Sequence, residues 1–169
     1  MRQLVSALCL ATALTACSNA SRKETASPAT GLTANATVDY VVDGDTVDMT
    51  INGVEERVRL IGIDTPETKK ENTPIQCFGP EATAFTQSLL PEGARVYLER
   101  DVEARDIYGR LLAYAYLVDT GTFVNLEIVR QGYAQPLTIP PNVAHTAEFV
   151  DAAQSAEASN VGLWAHCNG

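Results

Sequence analysis

Four carboxylates and two guanidinium groups stand out in this chain by type and spacing. Asp43 and Asp45 flank a glycine, Asp64 and Glu67 flank Thr65-Pro66, Arg59 lies just ahead of Asp64, and Arg110 follows in a later polar turn. Hard carboxylate oxygens with no His or Cys close by in sequence suit Ca2+ or Mg2+ rather than zinc. Arginine offers a planar fork of donors fitted to bidentate recognition of phosphate. A cation seat, a spare carboxylate and two arginines are the ingredients of phosphodiester hydrolysis. The cation neutralises and orients a phosphate, the carboxylate takes a proton from water, and the arginines stabilise charge developing on the phosphate. Each of these residues alone reads as an ordinary solvated charge, and only the combination carries the chemistry.

Rigid elements must hold such groups in register. Val58 to Ile63 is an apolar run of strand character that stops at Asp64-Thr65-Pro66-Glu67, where proline ends regular structure. Thr37–Val42 reads as a β-branched strand closed by the turn Asp43-Gly44-Asp45. Thr46–Ile51 alternates as a half-buried strand, and Asn52-Gly53 is a type I′ hairpin signal returning the chain into a strand over Glu55–Ile63. This meander brings the two acidic turns together. Gly79-Pro80-Glu81 starts a helix with Ala82, Phe85 and Leu89 on one face. Strands follow over Ala94–Glu99 and Leu111–Val118, then a helix over Asn125–Gln131 and a last helix over about Ala144–Ala158 that buries Phe149 and Val150. The order predicts an α+β chain with a five-stranded antiparallel core, which five strands satisfy best by closing into a small barrel with three helices packed on it.

The N-terminus carries a separate message. Arg2 precedes an apolar run from Leu4 to Leu14, too short to span a bilayer, and Leu14-Thr15-Ala16-Cys17 resembles the lipobox of bacterial lipoproteins. Residues 1–17 are therefore expected to be a signal ending in a lipid-modified Cys17. Residues 18–36 read as a flexible linker with a reach of roughly 20–25 Å, and 37–169 as the folded domain. The expected location is the cell envelope outside the cytoplasm, and the expected state a monomer. Export leaves Cys77 and Cys167 to form a disulfide, contributing roughly 4–5 kcal/mol by loop entropy. A zinc site of Cys77, Cys167, His145 and His166 is the alternative, although paired C-x-x-C spacing is lacking. The formal charge of −9 counts against a generic polyanion binder.

Beyond these readings, the sequence resembles the staphylococcal nuclease family. The pieces are VVDGDTV (41–47), RLIGIDTPET (59–68), FGPEATAFT (78–86), DIYGRLLAY (106–114), VNLEIVRQGYA (124–134) and GLW (162–164). The resemblance implies an OB-fold barrel and Ca2+-dependent hydrolysis of DNA and RNA at the 5′ P–O bond, leaving 3′-phosphates. It implies Asp45 and Asp64 as carboxylate ligands of Ca2+, with the Thr65 carbonyl beside them and Asp43 supporting them from behind. Glu67 would be the general base, Arg59 and Arg110 would hold the scissile phosphate, and Tyr108 would contact a phosphate of the bound nucleotide. Three departures bear on substrate affinity. Gln135–Pro140 is one residue shorter than in the best-known member of the family and lacks the tyrosines found there, Ile107 stands where a lysine is found, and the chain is acidic where that relative is basic. A non-catalytic OB-fold module binding oligonucleotides or a protein partner is the alternative, as is a structural envelope lipoprotein.

Overall fold

A computed structural model describes residues 30–69 and 74–167. The signal and Cys17 lie outside the described residues, as does most of the linker. Thr30 and Asn35 are already tied to the domain: the Thr30 hydroxyl donates to the Val118 carbonyl at 2.7 Å, and the Asn35 amide exchanges hydrogen bonds with the Leu98 backbone.

Eleven elements follow: β1 (Ala36–Asp43), β2 (Thr46–Ile51), β3 (Val54–Leu60), β4 (Gly62–Asp64), α1 (Gly79–Leu89), β5 (Arg95–Glu99), β6 (Leu111–Leu117), α2 (Val124–Arg130), β7 (Gln135–Leu137), α3 (Thr146–Ala158) and the single turn α4 (Leu163–His166). Five strands close a barrel in the order β1-β2-β3-β6-β5, with β1 also pairing β5. The barrel with three packed helices is the architecture expected from the sequence. Its hand of pairing is not: β3 and β6 run parallel, Val58 against Leu111 and Leu60 against Ala113, so the sheet is mixed. The antiparallel expectation fails because α1 and β5 intervene and return the chain in the direction of β3.

Local sequence explains most of the boundaries. Asn52 and Gly53 both take positive φ, 53° and 81°, as a type I′ turn requires. Val47, Met49, Val58 and Leu60 are buried at every second position, the period of a strand facing one core. The strand expected over Glu55–Ile63 is in fact two. At Gly62, φ is +81° and a Cβ would fall 2.2 Å from the Phe149 ring, so only glycine fits. The chain turns there, leaves the barrel, and pairs β4 with β7 as a two-stranded ribbon, Gly62 opposite Leu137 and Asp64 opposite Gln135. On α3, Phe149 is buried as expected, whereas Val150 is 38% exposed and faces away from the core. Among the described residues no helix is long and apolar enough to cross a membrane.

Candidate active site

The Asp43-Gly44-Asp45 turn between β1 and β2 meets the Asp64–Glu67 segment beyond β4. The Asp45 carboxylate is buried, and its Oδ2 accepts hydrogen bonds from the Thr65 amide and hydroxyl, both at 2.9 Å. This contact is possible because residue 44 is glycine: a Cβ there would lie 2.6 Å from Thr65 Oγ1. From the other side, the Thr86 hydroxyl on α1 donates to the Gly44 carbonyl at 2.7 Å. A barrel turn, a helix and the post-β4 loop thus lock one carboxylate in place.

Arg59, near the end of β3, has its guanidinium pinned by the carbonyls of Leu60 and Ile63. Its Nη2 lies 3.2 Å from Asp45 Oδ2 and 3.3 Å from Asp64 Oδ1. One guanidinium nitrogen thus bridges the two carboxylates. Asp64 is the solvent-facing member of the pair, its side chain 61% exposed. Asp43 is held above the ordinary carboxylate range, by burial first and then by the negative charge of Asp45 nearby.

Glu67 turns its carboxylate back on its own loop, where Oε1 accepts from the amides of Thr68 and Lys69 at 2.9 Å each. Arg110 is placed by the Asp106–Arg110 turn. Asp106 Oδ2 accepts from Arg110 Nε at 2.7 Å, while Oδ1 accepts from the amides of Tyr108 and Arg110. Burial pushes the Asp106 carboxyl up, but these bonds and the Arg110 charge outweigh it and hold it below its usual range. Tyr108 is exposed, and the Arg110 guanidinium sits 5.5 Å from its ring centre.

One polar cleft of about 190 Å³ is lined by Asp43, Asp45, Asp64, Glu67, Arg59 and Arg110, so every acidic and basic residue singled out from sequence meets there. Tyr108 lies outside it, on an adjoining apolar groove of about 450 Å³ that shares Arg59 and Arg110 and is walled by Ile107, Leu137 and Ile139. Among the described residues no three Asp, Glu, His or Cys side chains converge on one point. The carboxylates of Asp45 and Asp64 stand side by side on Arg59 Nη2, with Thr65 also lining the cleft. Two carboxylates are too few for a dedicated all-protein cage, and oxygen donors fit a hard cation that keeps several waters better than a soft one. Cys77 and Cys167 form the expected disulfide, Cα atoms 5.9 Å apart, and a zinc site using both thiols is ruled out.

Sequence reasoning missed several supporting residues. Asn125 on α2 is fully buried: its amide donates to the carbonyls of Ile61 and Ala113 and accepts from the Ala115 amide. A lone Asn inside the apolar run Val124–Val129 was the available signal, since a buried amide must find backbone partners. Asn142 ties the groove wall to Glu103 by two backbone bonds, 2.8 and 3.0 Å. Gln135–Leu137 carried no strand signal, being three residues with a proline at the centre.

A five-stranded barrel with helices packed on it and a carboxylate–arginine cleft defines an α+β protein of the OB-fold class. The family model described as "Staphylococcal nuclease homologue" matches residues 57–166. A thermonuclease of Staphylococcus intermedius is 42% identical over 127 residues, covering 75% of this chain and 74% of its own. A second, from Staphylococcus hyicus, is 36% identical over 126 residues, covering 75% and 73%. An endonuclease of Bacillus subtilis is 36% identical over 132 residues, covering 77% of this chain and 61% of its own. The chain belongs to the staphylococcal nuclease family.

Proposed function

We propose that the protein is a Ca2+-dependent nuclease that hydrolyses DNA and RNA at the 5′ P–O bond and leaves 3′-phosphates. The observation that carries this reading is the single cleft in which Asp45, Asp64, Glu67, Arg59 and Arg110 meet. The relatives' names support nuclease chemistry at the coarser level. Asp45 and Asp64, with the Thr65 carbonyl, would hold the Ca2+, which when bound neutralises charge on the scissile phosphate. Asp43 backs the turn that presents Asp45.

The chain's own residues carry the remaining steps. Arg59 and Arg110 donate to phosphate oxygens, and their fixed forks position the phosphorus for in-line attack. Glu67 accepts a proton from water as that water's oxygen bonds to phosphorus and the bond to the 5′ oxygen breaks. Arg110, permanently charged, stabilises the departing oxygen by hydrogen bonding. Tyr108 contacts a neighbouring phosphate of the same strand. The apolar groove beside it receives a base on aliphatic walls. Aromatic stacking, worth about 1–3 kcal/mol per base, is not supplied by Leu137 and Ile139.

Export and lipid attachment at Cys17, with the domain acting as a monomer, complete the reading. The N-terminal sequence supports export and lipid attachment, and mass spectrometry finding an unmodified Cys17 in envelope protein would sink them. The test of the chemistry is cleavage of single-stranded DNA, duplex DNA and RNA with Ca2+ or with chelator, Glu67→Gln alongside. Cleavage is expected to require Ca2+ and to fall by about 100-fold or more in the variant, with Ca2+ binding retained. Near-native turnover by Glu67→Gln refutes the base assignment, and no cleavage by the folded wild type moves the chain to a binding module.

A further inference from the structure

We propose that Gln76 is a positioning residue for Glu67 and that the Cys77–Cys167 disulfide keeps Gln76 where that task requires; the inference rests on Glu67 being the base. The loop that begins at Glu67 returns to it at Gln76. The Glu67 amide donates to Gln76 Oε1 at 2.8 Å, and the Gln76 amide donates to the Glu67 carbonyl at 2.9 Å. A side-chain acceptor and a backbone donor thus grip both polar groups of one peptide residue, the residue whose carboxylate reaches the cleft. Water can satisfy an exposed amide equally well, so the hydrogen bond alone gives no reason for this grip. What water cannot supply is a fixed position for the backbone.

Gln76 is in turn anchored at the far end. Its carbonyl accepts from the amide of Gly79, the first residue of α1, at 3.1 Å. Cys77 is bonded to Cys167, which directly follows α4. That turn is seated on the end of α2: the Leu163 amide donates to the Gly132 carbonyl at 2.8 Å, and a Cβ on Gly162 would lie 2.2 Å from the same oxygen. Phe78 is stacked between Tyr133 and His166, centroids 5.2 and 5.1 Å away. A continuous path of covalent, hydrogen-bonded and stacked contacts therefore runs from the body of the domain through the disulfide to the backbone of Glu67. Gln76 and Cys77 are both exposed, so core packing does not account for either.

The test uses the full-length protein with saturating Ca2+ and a fluorescent single-stranded oligonucleotide, together with amide hydrogen exchange at Glu67. Gln76→Ala is expected to lower kcat about tenfold with KM within about twofold, since a misplacement near 1 Å can cost up to about 100-fold. Gln76→Glu, which keeps the acceptor, should restore most of the rate, and Gln76→Asn, one methylene short, should not. Cys77→Ser/Cys167→Ser should show a similar loss, and adding Gln76→Ala to it should cost less than the product of the two. Exchange at the Glu67 amide should quicken about tenfold in Gln76→Ala. Unchanged exchange, an unchanged kcat, a loss confined to KM, or equal losses in the Ala and Glu variants each overturn the inference. Protection at Glu67 in a wild type that cleaves nothing removes the function reading first, and with it the base that Gln76 would position.

Discussion

Gly44 shows how much of the site rests on a missing atom. Asp45 reaches Thr65 only because nothing projects from residue 44, and φ at Gly44 is not in the left-handed range, so alanine can adopt the backbone. Gly44→Ala should therefore push Thr65 off Asp45 while the fold persists. Ca2+ affinity by calorimetry is expected to fall about tenfold or more, the usual cost of losing an outer partner of a ligand. Unchanged affinity would mean that the Thr65–Asp45 contact does not shape the cation seat. At this scale the sequence was most readable: Asp45, Glu67 and Arg110 sit in turns or loops, and Arg59 and Asp64 at the ends of β3 and β4, where the patterns are local. Gln76 and Asn125 were not readable, because their partners lie on backbone groups that only the folded chain brings near.

At the level of elements, Asn125 is the junction. Its side chain joins α2 to Ile61, where the chain leaves the barrel, and to β6, the parallel neighbour of β3. Asn125→Ala would leave the Ile61 carbonyl and the Ala115 amide buried without that partner. Leaving such groups unpaired costs about 1–3 kcal/mol each, so a urea titration should show a loss of about 3 kcal/mol. A loss below about 1 kcal/mol would show that water or a backbone shift replaces the amide. Strand existence was legible here from alternation and the Asn52-Gly53 turn. The antiparallel β2–β3 pairing was legible with it, but long-range pairing was not: the parallel β3–β6 ladder and the β4–β7 ribbon join residues far apart in sequence, and Pro136 hides the second strand of the ribbon. The break at Gly62 was concealed by an apolar run that reads the same on either side of it.

Over the whole molecule, charge opposes the proposed substrate. With a formal charge of −9, contact with a polyanion is concentrated in the cleft, through Arg59 and Arg110. Binding to a single strand should then weaken with salt at a log–log slope of only about −1 to −2, by the rule of about −0.7 per phosphate neutralised. Fluorescence anisotropy at several salt concentrations measures it. A slope steeper than about −4 would place further phosphate contacts outside the cleft. The acidic surface was plain in the composition. The placement of two arginines among the four carboxylates of the cleft was not, because composition has no geometry.

The β4–β7 ribbon has a mechanical consequence. Asp64 and Leu137 stand on the same short ladder, one opposite Gln135 and the other opposite Gly62. Leu137 walls the apolar groove while Asp64 faces the polar cleft. Under the proposed function, a base resting on Leu137 and a cation held by Asp64 would both bear on this one ladder. Whatever factor a base in the groove lends to the hold on the ion, the ion lends by the same factor to the base.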